Sequence, residues 1–434
     1  MAARPEAEID QDTDLLTRVE NALRANYDVA ITVLVAAIVF SLAKTLYSTP
    51  SIIRDAYSYT MAAQRLVHDG YLAFDSGALP GSGVPPDARV TPFYIFFLAI
   101  FYALLGHGGD AVAAAKHVQP ILVAAQSLLS VGTVALLALC GRELGGKRLG
   151  LLSGVLAACY LPFIWAASVS LSETLAMPLI ALELLVALKL TSSRRLPTWK
   201  ELLAFGILSG VLGLTRPSMI AWFAIPLIYL ALRRFSEWRQ VLPLLAVAVL
   251  GFLLILAPWW VRNEHVIGKF VPIRTDEIRA STGGGYQSIG TEGAAPPASN
   301  QEKLGQVQAG LTTPWSAPDD VLWDNNFNRA EQRVDVSLFP VETHSRLAPW
   351  LDVMFYYQVA LLAFAVVALF FSAVVPRLLV VASMPVYVVL VHVNVQVISR
   401  YTFLAMPAVI VLAAAGLFGL ARLASRTFRR LSAG

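Results

Sequence analysis

The chain has 434 residues, 57% of them hydrophobic and 14% charged, with a formal net charge of +4 and a mean hydropathy of +0.63. Soluble domains carry about 25% charged residues, so the composition excludes an ordinary soluble fold and predicts an all-α integral membrane protein. The basic residues lie in short loops between apolar runs, which is the pattern of topology signals and predicts no nucleic-acid partner.

Residues 1–28 are polar, and DLLTRVENALRANYD within them suits a cytoplasmic or interfacial helix. A membrane span needs about 20 apolar residues. The runs that reach or approach this are 29–46, 121–140, 149–168, 175–190, 202–214, 219–232, 241–260, 353–375, 378–397 and 403–423. The first follows a long mixed-charge segment and reads as a retained span, not a cleaved signal. A further run, 93–105, is shorter and follows Thr91-Pro92 directly; it reads as an eleventh span or as a helix in the interface.

Charge decides between these. With a cytoplasmic N-terminus and 93–105 not crossing, GRELGGKRLG, TSSRRLPTWK, RRFSEWRQ, the VPR turn and the tail all fall inside, each carrying Lys or Arg. The expected architecture is therefore about 10 transmembrane helices plus an external juxtamembrane helix. A bundle occupies 29–263, with a first external loop at 47–118. A long external loop follows at 264–350, then C-terminal helices at 351–423 and a basic cytoplasmic tail at 424–434. The long loop is Gly/Pro/Ser-rich and too long for a mere connector. Cys140 and Cys159 are the only cysteines, both in apolar runs, so no disulfide framework is expected.

This topology collects Asp55, Arg89, Glu173, Arg216, Arg262, Arg400 and Tyr401 on the external side. Asp55 lies where the chain leaves the first span. It reads as a helix cap, or as a partly desolvated carboxylate able to hold a metal or take a proton from a hydroxyl. Tyr57 and Tyr59 are amphipathic neighbours, Tyr59 one helical turn on. Glu173 begins a span, where an acid suits the helix dipole without any other role. Glu183 lies inside that span and must pair, protonate or face a polar interior. Arginines at external span ends oppose the positive-inside trend. Singly they snorkel to headgroups; together Arg89, Arg216, Arg262 and Arg400 suit a phosphate, which a planar guanidinium grips with two bonds. His392, Asn394 and Gln396 alternate, so they share no helical face and suit a polar lining better than a metal cluster. No metalloprotease, Walker, nucleophile-elbow or dinucleotide motif is present.

Several stretches together resemble the GT-C superfamily of membrane glycosyltransferases, in particular the bacterial branch of protein O-mannosyltransferases and lipid A aminoarabinose transferases. They are RDAYSYTMAAQRLVHDGYL, R-x-x-P-F-Y-x-F, SLSETLAMPL, LTRPSMI, PWWVRNEHVIGKFVPI and SRYTFLAMPAVIVLAAAGL, in the family's order. The resemblance implies a GT-C-like bundle and an inverting transfer of sugar from a polyprenyl-phosphate donor to a hydroxyl acceptor on a glycan, lipid or protein. It implies the bacterial inner membrane, with an external site. Asp55 corresponds to the family's acidic catalytic base and Glu173 to its second acid, and a divalent cation (Mg or Mn) between them is compatible. Arg89 falls near the family's Lys/Arg-Pro-Pro, here altered to Arg-Val-Thr. Arg216, Arg262 and Arg400 would contact the donor phosphate, with Tyr57, Tyr59 and Tyr401 supporting. A transporter or a non-catalytic lipid-binding, flippase-like protein is the alternative; neither needs Asp55.

Overall fold

The computed structural model describes residues 17, 21–22, 24–44, 54–74, 79–106, 111–168, 170–275, 344–372, 377–393 and 403–432. Among these the chain is helical throughout, with no strand. The helices are α1 (Tyr27–Lys44), α2 (Arg54–Asp69), α3 (Pro92–Leu105), α4 (Ala111–Gly145), α5 (Lys147–Ala158), α6 (Pro162–Ser168) and α7 (Ser172–Ser192). They continue with α8 (Trp199–Gly213), α9 (Ala224–Arg233), α10 (Trp238–Ile267), α11 (His344–Ser372), α12 (Arg377–Val393) and α13 (Met406–Leu431).

Among the described residues, four helical stretches are long and apolar enough to cross a membrane: Ala113–Gly145, Ser172–Ser192, Phe235–Ile267 and Phe403–Arg430. A fifth arises if α5 and α6, bent by 65°, are counted as one span. The expected run 149–168 is therefore broken, at the turn before Pro162, because proline cannot donate the next helical bond. Run 219–232 is likewise divided between a 3₁₀ turn at Pro217–Met219 and α9. The stretch 93–105 forms α3, whose 14 residues rise about 21 Å, short of the roughly 30 Å hydrocarbon core. It packs Tyr94, Ile95, Leu98 and Tyr102 inward and leaves Phe96, Ile100 and Leu104 exposed.

Close packing rests on small residues. Gly206 and Gly251 let α8 and α10 approach until a Cβ on Gly206 would collide with the Ala248 carbonyl. Gly154 of α5 does the same against Thr32 of α1, and Gly416 of α13 against the Phe364 carbonyl of α11. In a bilayer, where lipid is as apolar as leucine, such backbone approach is a principal source of helix association. Two buried acids find partners on neighbouring helices. Asp28, fully buried in α1, receives Arg142 from α4, whose Nε lies 2.7 Å from Oδ2 while another nitrogen reaches Asn26 at 3.0 Å. Glu183, whose partner the sequence could not name, accepts from the Ser209 hydroxyl of α8 at 2.5 Å.

Candidate functional site at the ends of four helices

Asp55 lies in the first turn of α2, where the helix dipole favours a carboxylate. Its side chain lies outside the described residues. The helix that carries it is held firmly. Tyr59, one turn on, stands edge-on to Tyr94 of α3, ring centroids 5.1 Å apart, and to Phe74 at 5.3 Å. Farther along, Gln64 donates to the Ala111 carbonyl at 2.8 Å, and buried Arg65 to the Ala73 carbonyl at 2.7 Å. Tyr57 is half-buried.

Tyr94 links this helix to the second acid. Its hydroxyl donates to Gln126 at 2.8 Å, and Gln126 in turn donates to the Ala167 carbonyl at 2.9 Å. The same hydroxyl lies within electrostatic range of Glu173. Glu173 is fully buried at the start of α7, and Arg216 meets it at 3.2 Å. Ser172 closes the group, accepting from Arg216 at 3.1 Å and donating to Glu173 at 3.2 Å. Arg216 gets there because Pro217 ends the preceding helix and turns the chain. The same corner receives α3: the Phe93 N–H bonds the Leu214 carbonyl at 3.2 Å, and the Thr91 hydroxyl the Thr215 carbonyl at 3.3 Å. The start of α3 and the Thr-Arg-Pro corner are thus one structure.

Arg262 is used differently. Its guanidinium donates to the carbonyls of Asp87 at 2.7 Å and Leu72 at 2.9 Å, and to Asn263 at 2.9 Å, and it lies 5.2 Å from the Trp259 ring centre. Trp259 and Trp260 donate to the carbonyls of Ile273 and Pro272 at 2.8 and 2.6 Å, and Asn263 to Val271 at 3.3 Å. The end of α10 therefore ties the segment around Leu72 and Asp87 to residues 271–273. Its own continuation to Ile267 takes the helix four residues into the segment read as loop, where Gly268, at φ +69°, ends it in the left-handed region that glycine adopts freely. Arg89 is the more open cation: its side chain is 46% exposed, with Asp87 3.5 Å away and the Phe74 carbonyl at 3.4 Å. Burial pushes the Asp87 carboxyl above its ordinary value, although the N–H groups of Arg89 and Phe74 and the guanidinium groups of Arg89 and Arg262 all pull it down.

Arg400 and Tyr401, the loop 276–343, Asn394, Gln396 and the side chain of His392 lie outside the described residues. Residues missed by sequence reasoning include Asp87, Tyr94, Gln126 and the pair Trp259 and Trp260. Tyr94 and the tryptophans lay within the motifs R-x-x-P-F-Y-x-F and PWWVRNEHVIGKFVPI but had no role assigned; Asp87 and Gln126 gave no signal. A divalent cation does not fit the described half of its expected site: Glu173 already faces the Arg216 guanidinium, which would repel it. No group of three His, Cys, Asp or Glu side chains occurs among the described residues.

These features define a polytopic helical membrane protein with a first-loop helix docked beside a buried acid–arginine pair. No protein-family model and no curated protein sequence matches the chain. Its fold is similar to that of the Archaeoglobus fulgidus oligosaccharyltransferase in complex with Zn and sulfate, with a TM-score of 0.52, 15% identity, and coverage of 94% of this chain and 51% of that one. It is also similar to ArnT from Cupriavidus metallidurans bound to undecaprenyl phosphate, with a TM-score of 0.50, 15% identity, and coverage of 90% and 60%. At 15% identity the likeness to both is one of fold. It spans less than two thirds of the length of either.

Proposed function

We propose that the protein is an inverting glycosyltransferase that moves a sugar from a polyprenyl-phosphate donor to a hydroxyl acceptor at the external membrane face. The observation that carries this reading is the docking of the Asp55 helix, through Tyr59 and Tyr94, beside the buried Glu173–Arg216 pair, on a GT-C fold. The lipid phosphate named for the ArnT structure supports the donor class.

In this scheme the acceptor oxygen attacks the anomeric carbon as its proton passes to Asp55. The bond from that carbon to the phosphate oxygen breaks, and the lipid phosphate leaves with the bonding pair. Arg89, exposed beside the first loop, meets the departing charge, joined by Arg400. Arg262 holds the loop that carries Arg89, and Arg216 pairs with Glu173 beneath the site. Tyr57 and Tyr59 flank Asp55 on its helix, and Tyr401 is assigned a supporting role. No step needs a metal. The external face rests on the ten-span topology expected from charge placement.

A positioned base contributes roughly 10²–10⁴-fold. Asp55→Asn should therefore abolish transfer of radiolabelled sugar from a polyprenyl-phosphate donor while the donor still binds. Transfer near the wild-type rate in that variant would remove Asp55 from the chemistry.

A further inference from the structure

The last helix has two unlike halves. Up to Gly419, α13 lies against α11, with Gly416 and Gly419 so close to Phe364 and Phe371 that an added Cβ would collide. From Leu420 to Arg430 every residue is exposed. This free end is patterned. At about 100° per residue, Arg422, Arg426, Arg429 and Arg430 fall within an arc of about 100°. Leu420, Ala424 and Phe428 occupy the opposite side, Phe428 being 74% exposed. The Arg422 guanidinium sits 4.3 Å over the Phe418 ring centre, and no described carboxylate forms an ion pair with any of the four arginines.

The helix is also longer than a span requires. Phe403–Arg430 comprises 28 residues, about 42 Å of rise against a hydrocarbon core of roughly 30 Å. Measured from Phe403, Arg422 comes at about the edge of the core, and the other three reach into the headgroup layer within about 12 Å beyond it. There a stripe of guanidinium groups meets phosphates, and the apolar strip behind it meets the ends of acyl chains.

We propose that the exposed end of α13 is a binding site for anionic phospholipids, its four arginines gripping headgroup phosphates. The planar fork of arginine suits phosphate, and a segment with one basic and one apolar face suits a charged lipid surface. The competing occupant is the chain's own acidic segment, with Glu6, Glu8, Asp10, Asp12 and Asp14. Such a segment would answer the arginines but offers little to the apolar strip, so the lipid is favoured. The site is independent of the transferase reading.

The test uses the full chain in vesicles of phosphatidylcholine, with spin-labelled phosphatidylglycerol or phosphatidylcholine as probe. The immobilised fraction of each, read by electron paramagnetic resonance, gives the preference of the protein for the anionic lipid. The wild type should prefer phosphatidylglycerol, less so as salt is raised. The variant R422Q/R426Q/R429Q/R430Q should lose that preference, by about fivefold for each arginine that engages a headgroup. Glutamine is a good helix former, and an unchanged unfolding temperature in detergent would show that the variant folds. A control variant, R194Q/K200Q, alters basic residues elsewhere and should leave the preference intact. A preference unchanged in the fourfold variant, or absent in the wild type, overturns the site. If Glu6, Glu8, Asp10, Asp12 and Asp14 are neutralised and the preference then rises severalfold, the acidic segment is the occupant and the lipid assignment fails.

Discussion

At the scale of single residues, buried charges set the largest expected effects. Glu173 and Arg216 are 0% and 10% exposed and face each other at 3.2 Å. Removing one partner of such a pair strands a charge, at a cost of about 3–5 kcal/mol. Arg216→Ala should therefore destabilise the protein strongly, and adding Glu173→Ala should recover part of the loss. Unfolding of the two single variants and the double variant measures this; strictly additive losses would mean that the two groups do not interact. Asp87 supplies a pH signature. Its folded value is raised by burial, so the native state holds the proton more tightly than the unfolded chain. The associated stability is complete below the ordinary carboxyl value of about 3.9 and is lost as pH rises through the folded value. Asp87→Asn should flatten the stability profile just above pH 4, as followed by thermal unfolding in detergent. A slope identical to that of the wild type would place the titration elsewhere.

Whole elements are governed by how near two backbones come. A Cβ on Gly206 would meet the Ala248 carbonyl, whereas one on Gly132 would meet nothing within 4 Å. Gly206→Ala should thus force α8 from α10 and cost about 1–3 kcal/mol. Gly132→Ala, in the interior of α4, should be neutral or stabilise by up to about 1 kcal/mol through helix propensity. Equal effects in the two variants, compared by unfolding temperature, would remove close approach as the cause. The glycines were visible in the sequence, but their facing partners were not, because a helix sequence reveals its own stripe and not the stripe it meets. The same holds for α10. Its final turn reads in the sequence as a span end bearing an arginine, and only the contacts with Leu72, Asp87 and residues 271–273 reveal it as a clasp between two loops.

For the whole molecule, composition and the spacing of apolar runs marked out the helical membrane class and most of the helix positions. The run boundaries misled where a proline interrupted the helix: hydropathy is blind to backbone hydrogen bonding, and 149–168 proved to be bent. The proposed ten-span topology has a direct check. With Cys159, which is exposed, replaced by serine, Ser82→Cys should react with an impermeant maleimide added outside intact cells. Lys200→Cys should react only after the membrane is opened. The reverse pattern would invert the topology and carry the proposed site to the cytoplasmic face.

The sequence by itself determined the solvent of this protein, the ordering of its helices and the residue types available for chemistry, because apolar run length and charge placement are local properties of the chain. Its motif order also resembled that of the GT-C superfamily. Which arginine meets an acid and which meets only carbonyls was decided by tertiary structure. Arg216 and Arg262 occupy equivalent positions at span ends, yet the turn at Pro217 directs one to Glu173, while the continuing helix α10 directs the other to the Asp87 and Leu72 carbonyls. Arg216 and Ser172, 44 residues apart in the chain, and Arg262 and Asp87, 175 apart, are brought together by packing, which no local pattern encodes.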